Sequence, residues 1–258
     1  MTFFTTMPLW LSGAIVVLVP TALAMSAPFV IRRAMTLEAL ETNNEVAGFK
    51  FAVVGVLYAV LLAFAVIVVW ERFSDCESQV AQEAGASATI YRLAGSIGDP
   101  ASGALRQSLT TYLTVAIDKD WPAMAEGQGS PEATKALDDV YGAALQATPT
   151  DDRARVVLSE VLHQLDLLTQ ARRARLVASP GAVPSVLWLV LIGGAVLTVG
   201  FTFFFGTQNL RAQSMMTGIV AVLIFSGLLV IVSIDHPFAG SVRVTPEALT
   251  AVLEDLGK

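Results

Sequence analysis

Charge is missing from four long stretches of this sequence. No Asp, Glu, Lys or Arg occurs in 1–31, 51–70, 176–210 or 212–234. A helix of roughly 20 apolar residues spans a hydrocarbon core of about 30 Å, and each stretch holds one. The pattern predicts four transmembrane helices, over about 8–27, 48–70, 184–205 and 213–234. Hydrophobic residues make up 54% of the chain and charged residues 15%, against roughly 45–50% and 25% in globular proteins. That balance argues against an ordinary soluble protein. The first stretch ends in Thr21-Ala22-Leu23-Ala24, a cleavage-like pattern, but it lacks the basic start of a signal peptide. A membrane helix is the favoured reading; removal of 1–24 is left open.

Cysteine and histidine are scarce too. Cys76 stands alone, so no internal disulfide forms. His163 and His236 are the only histidines. A zinc site needs three or four ligands at preferred spacings, and the chain supplies no such set. Nor does it carry a Gly-rich phosphate loop, a nucleophile elbow or a zinc-protease helix. No cofactor, metal or catalytic residue is expected. A membrane enzyme built on Asp235 and His236 is the least favoured function. The net charge of −6 speaks against nucleic acid as a partner. No charge lies deep inside a span, which speaks against a proton-coupled transporter or a voltage sensor. A channel stays open, because hydroxyls, carbonyls or a hydrophobic constriction can line one. Thr198, Thr202, Ser226 and Ser233 are the hydroxyls at hand.

The charges that remain are concentrated. Residues 1–70 hold the first two spans and their loop, 71–183 form a polar insert, 184–234 hold two more spans, and 235–258 form a corner and a short tail. The insert is rich in Ala, Leu, Glu, Gln and Arg and reads as helical. Four helices are expected there. The first, 71–97, continues from the second span with an apolar stripe of Phe73, Cys76, Val80, Ala84 and Ala88. The second, 101–118, follows a break at Gly98-Asp99-Pro100. The third, 130–147, starts at Ser130-Pro131-Glu132 and the fourth, 150–178, at Thr150-Asp151-Asp152. Val157, Val161, Gln164, Leu165 and Leu168 mark the inner side of the fourth. Arg172, Arg173 and Arg175 are read as cations suited to its C-terminal dipole. Acids are expected on solvated faces.

Three features bear on function. Gly55, Ala59 and Ala63 recur every fourth residue in the second span; one turn back stands Phe51, which leaves the stripe incomplete, and Gly48 lies seven residues before Gly55. Small residues at that spacing let helices approach closely in lipid, either within the chain or around an oligomer axis. Asn43 or Asn44 can cap the same span with Glu45 in its first turn; alternatively Asn44 and Glu45 line a polar pore mouth. Tyr58 lies mid-span, where its hydroxyl needs a partner, and Trp70 is an interfacial anchor. After the last span comes Asp235-His236-Pro237-Phe238-Ala239-Gly240. Pro237 biases His236 away from helix, and Gly240 permits a turn. The motif predicts a structural corner with Phe238 buried and Asp235 paired, Arg72 or Arg243 being candidate partners. Thr245-Pro246-Glu247 then starts a tail helix. Four spans put the insert and both termini on one side. Near the membrane that side carries Arg72, Arg172, Arg173, Arg175 and Arg243, against Arg32, Arg33, Lys50 and Arg211 on the other. The counts do not decide the orientation.

Asn44 and Gly48, the run Gly55-Val56-Leu57-Tyr58-Ala59-Val60-Leu61-Leu62-Ala63-Phe64, Val69-Trp70-Glu71, Glu83-Ala84, Tyr112, Trp121 and the corner motif together resemble the bacterial bestrophin-like membrane family, a family of unknown function. The resemblance covers nearly the whole chain. Its name implies distant similarity to bestrophins, pentameric anion channels with four membrane helices and a cytosolic helical domain. It implies a homo-oligomer, a pentamer by analogy, in the lipid bilayer of the bacterial inner membrane, with insert and termini cytoplasmic. The expected fold is an all-α integral membrane protein with four transmembrane helices and a helical soluble insert between the second and third. The expected function is an anion channel whose second span lines or flanks the pore, with Asn44, Glu45 and Tyr58 at the pore or its mouth. The alternative is a non-conducting scaffold or sensor whose insert binds a partner protein.

Overall fold

The structure, a computed structural model, describes residues 8–42 and 44–256. Among these residues every regular element is a helix, and the chain divides into two compact units. The first unit comprises residues 1–71, 182–235 and 240–242; the second comprises 72–181, 236–239 and 243–258.

Ten helices carry the description. They are α1 (Leu9–Ala34), α2 (Leu37–Glu41), α3 (Asn44–Ala94), α4 (Ala101–Val115), α5 (Trp121–Ala125), α6 (Pro131–Leu145), α7 (Asp152–Ala178), α8 (Ser185–Phe204), α9 (Leu210–Ile234) and α10 (Glu247–Leu256). Helix α1 contains a π-helical turn at Ala14–Leu18, and α8 closes on a 3-10 turn at Thr202–Phe204. Four of the ten, α1, α3, α8 and α9, are long and apolar enough to cross a membrane.

In the first unit small residues set the helix contacts. A Cβ on Gly218 of α9 would stand 2.8 Å from the Met25 sulfur of α1, and the Ser214 hydroxyl donates to the Met25 carbonyl at 2.7 Å. Gly194 of α8 takes the Tyr58 ring of α3, and Gly227 of α9 takes Leu62. Lipid tails are as apolar as leucine, so close packing and hydrogen bonds rather than the hydrophobic effect hold such helices together. Leu23, Val56, Leu57, Leu197 and Leu223 accordingly point outward.

In the second unit α4 and α6 lie along each other and α7 closes the core. Leu105, Leu109, Leu113, Val140, Val161, Leu165 and Leu168 are buried. Local chemistry fixes the helix starts: the Ser130 hydroxyl accepts the Ala133 amide, and Asp151 accepts that of Ala154. Such caps satisfy donors that a helix cannot satisfy itself. The sequence stops the second insert helix at 118. In the structure α4 instead passes through a π turn at Ala116–Asp120 into α5. The extra turn swings Asp120 and Trp121 inward, and both are buried.

Candidate functional site

Helix α3 carries most of the residues picked out from the sequence. Asn43 lies outside the described residues. Asn44 is the first residue of α3, and its amide is used across the unit: Nδ2 donates to the Gly206 carbonyl at 2.7 Å and Oδ1 accepts the Gly206 amide at 3.0 Å. Gly206 has no room for a side chain, because a Cβ there would stand 2.7 Å from that of Leu40. Glu45, one residue on, is exposed.

Tyr58 is buried, and its hydroxyl donates to the Leu191 carbonyl of α8 at 3.0 Å. Its ring lies over Gly194, where a Cβ would come within 2.5 Å of it. The partner that a mid-span tyrosine needs is therefore a helix backbone. Of the hydroxyls named from sequence, Thr202 donates to Val199 and Ser233 to Leu229 within their own helices. The Thr198 hydroxyl is buried without a hydrogen-bond partner among the described residues.

The small-residue stripe has a different fate. Gly48 is 3.9 Å from the Phe205 ring by the same measure, while Gly55 has no atom within 4 Å and Ala59 and Ala63 are exposed. Within the chain, Tyr58 and Leu62 make the close approaches that the stripe leaves unmade. A hollow of about 230 Å³ runs beside it, lined by Gly55, Ala59, Leu62 and Thr198 among others. Trp70 is also exposed.

At the corner, Asp235 Oδ1 accepts the amides of Ala182 and Val183 at 3.0 and 2.8 Å. The carboxylate ties down the backbone just before α8. Phe238 is buried and meets Trp121 edge to face, ring centroids 6.0 Å apart. The Pro237 carbonyl accepts the Val244 amide at 2.7 Å, and the Val244 carbonyl accepts the Trp121 indole N–H at 3.2 Å. Gly240 has φ +86°, which a side chain would strain.

The sequence reading missed a buried ionic cluster in the second unit. Glu83, Asp120, Arg172 and Arg175 are all buried, two acids against two bases. Arg175 bonds Glu83 through Nε at 2.6 Å and Nη2 at 3.0 Å, and Asp120 through Nη2 at 3.0 Å. Arg172 bonds Asp120 through Nε at 2.8 Å. Tyr112 donates to Glu83, and the Arg175 guanidinium lies 4.7 Å over the Trp121 ring. Burial works against the Arg175 charge most strongly of any one effect, but the Glu83 charge and hydrogen bond, together with Tyr112 and Asp120, outweigh it and hold the pKa above the ordinary arginine value. The expectation of solvated acids and of a simple C-terminal cation cluster fails at these four residues; Arg173 alone of the three arginines is exposed. A visible signal existed. Val161, Leu165 and Leu168 step by four and three, and Arg172 and Arg175 continue the same steps. The stripe on α3 likewise turns: Ala88 is half-buried, and Glu83, Ser87, Ile90 and Ala94 face inward.

His163 is exposed. Among the described residues no group of three His, Cys, Asp or Glu is placed to hold a metal ion. The cluster's charges are matched inside the protein, so it reads as a structural centre rather than a reactive one.

Comparison with known proteins places this architecture. The Bestrophin-like domain matches residues 18–249. No curated protein matches the chain. Crystal structures of a bacterial bestrophin homolog from Klebsiella pneumoniae share the fold. One mutated form superposes with a TM-score of 0.70 at 14% identity, covering 92% of this chain and 96% of that one. A second gives 0.72 at 12% identity, covering 92% and 96%. The structure phased with zinc gives 0.69 at 14% identity, covering 92% and 94%. With four apolar helices long enough to span a bilayer, a fold shared with those crystal structures and a family domain over residues 18–249, the chain is an all-α integral membrane protein that belongs to the Bestrophin-like family.

Proposed function

We propose that this chain is a homo-oligomeric ion channel for anions, with α3 lining or flanking the pore. The observation that carries the reading is the open face of α3. Gly55 and Ala59 border a hollow of about 230 Å³ instead of a close helix contact, a Cβ on Gly55 would meet nothing within 4 Å, and Ala59 and Ala63 are exposed. Small residues left without a close partner at four-residue spacing suit contact with a second copy across lipid. A pentamer is the assembly that the resemblance to bestrophins supports. The reading puts the protein in the bacterial inner membrane, with the second unit and both termini cytoplasmic. Glu45, exposed at the start of α3, remains the pore-mouth candidate with a free charged end. Asn44 and Tyr58 flank the path by holding α3 to Gly206 and Leu191.

The test is flux through liposomes carrying the purified protein, with its mass measured in detergent. A pentamer that passes anions is expected. A stable monomer, or no flux above empty liposomes across pH and calcium, overturns the reading. The alternative, a non-conducting scaffold whose insert binds a protein, draws on the exposed Leu145 and Val156 of the second unit. Capture of one stoichiometric partner by the full chain, without flux, favours it.

A further inference from the structure

A second hollow lies wholly within the second unit, and its lining includes none of the four charged residues of the ionic cluster and no residue of a membrane helix. It encloses about 350 Å³, within the range of roughly 300–1,000 Å³ that small-molecule sites occupy. The buried Trp121 and Phe238, its most enclosed lining, serve as its floor, and Ile117, Ala125 and Pro246 add further apolar lining. Arg243 is the one charged residue among its lining. Arg243 is exposed and makes no ion pair among the described residues, in a chain of net charge −6.

The floor is fixed before any ligand arrives. Trp121 is held by its indole bond to Val244, by the Phe238 edge and by Arg175 over its ring. A rigid apolar surface loses little freedom on binding. Its one indole donor is already engaged, so the floor offers a ligand only apolar contact. Thr245 adds a hydroxyl to the lining, and the charge selectivity falls to Arg243, whose planar fork matches a carboxylate with two parallel hydrogen bonds. A cation meets the wrong charge there and no lining acid.

We infer that this hollow binds a small organic carboxylate, its ring or short chain on Trp121 and its charge on Arg243. The inference is independent of ion conduction.

Calorimetry on the full-length protein in detergent, with 2-naphthoate as probe and protein-free detergent as blank, tests it. Saturable binding at one site per chain is expected, and 2-naphthamide, which lacks the charge, should bind about tenfold or more weakly. Arg243→Gln should weaken naphthoate by a similar factor, and Ala125→Leu should abolish binding by filling the hollow with Arg243 intact. Both variants should keep the wild-type thermal midpoint. No saturable heat overturns the inference. So does equal affinity of Arg243→Gln and wild type, or a change of oligomer mass in Ala125→Leu, which would make the hollow a contact between copies.

Discussion

Arg175 and Glu83 face each other through two hydrogen bonds, at 2.6 and 3.0 Å, with both side chains shut off from solvent. They join α7 to α3 inside the second unit. Removing one partner of a buried pair strands the other charge, at a cost of about 3–5 kcal/mol. Glu83→Ala should therefore lower the thermal midpoint steeply, read by circular dichroism. The double change Glu83→Met with Arg175→Met should recover much of the loss. It leaves Asp120 and Arg172 balanced against each other at 2.8 Å, and an apolar swap removes the desolvation cost of the pair. A double variant no better than Glu83→Ala would mean that the geometry of the cluster, not its charge balance, holds the core.

Tyr112 gives the same cluster a pH signature. Burial raises its pKa well above the ordinary value; the Glu83 charge adds to the rise, as does the hydrogen bond to Glu83, while Arg175 and Arg172 oppose it. An unfolded chain releases this proton near pH 10, whereas the folded chain keeps it. Above that pH the folded state binds the extra proton, so stability falls as pH rises. Below it both states are protonated and the contribution is complete. Thermal midpoints measured from pH 8 to 11 should fall for the wild type and fall less for Tyr112→Phe. Parallel curves would remove Tyr112 as the source.

The fold was largely legible because its signals are local. Absence of charge marks the spans, and Ser130 and Asp151 mark helix starts with side chains that reach three residues along. The ionic cluster was not legible by the same habit, since a lone charge belongs in water. Glu83, Asp120, Arg172 and Arg175 escape that rule only together, and sequence distance hides their meeting. The partners of the candidate site residues lie just as far off: Tyr58 meets Leu191, and Asn44 meets Gly206. The small-residue stripe was visible, but its spacing says that something packs closely, not what.

Asn44 offers a test that separates holding the fold from serving an ion. Its amide both donates to and accepts from Gly206. Asn44→Ala leaves that buried peptide with two unmet groups, each costing about 1–3 kcal/mol. Asn44→Asp keeps the acceptor but sets a carboxylate oxygen against the Gly206 carbonyl. Both should lower the thermal midpoint. If Asn44 acts chiefly at a pore mouth, the alanine variant should instead keep its midpoint and change anion selectivity in liposome flux.

Two glycines on neighbouring spans should respond in opposite ways. At Gly194 a methyl would stand 2.5 Å from the Tyr58 ring, which is itself tied to Leu191 and cannot withdraw freely. Gly194→Ala should destabilise by about 1–3 kcal/mol, as overpacking does. The further change Tyr58→Leu should relieve the clash. At Gly55 a methyl meets nothing within 4 Å, and alanine is the better helix former by about 1 kcal/mol. Gly55→Ala should leave the isolated chain as stable or slightly more so. A bulkier Gly55→Leu should also spare the fold, since the hollow of about 230 Å³ beside it has room for the side chain. If copies pack on this stripe, however, Gly55→Leu should break the assembly, and mass in detergent should drop toward the monomer without loss of helicity. An unchanged mass would mean that the open face of α3 meets lipid, and that the contact between copies lies elsewhere on the chain.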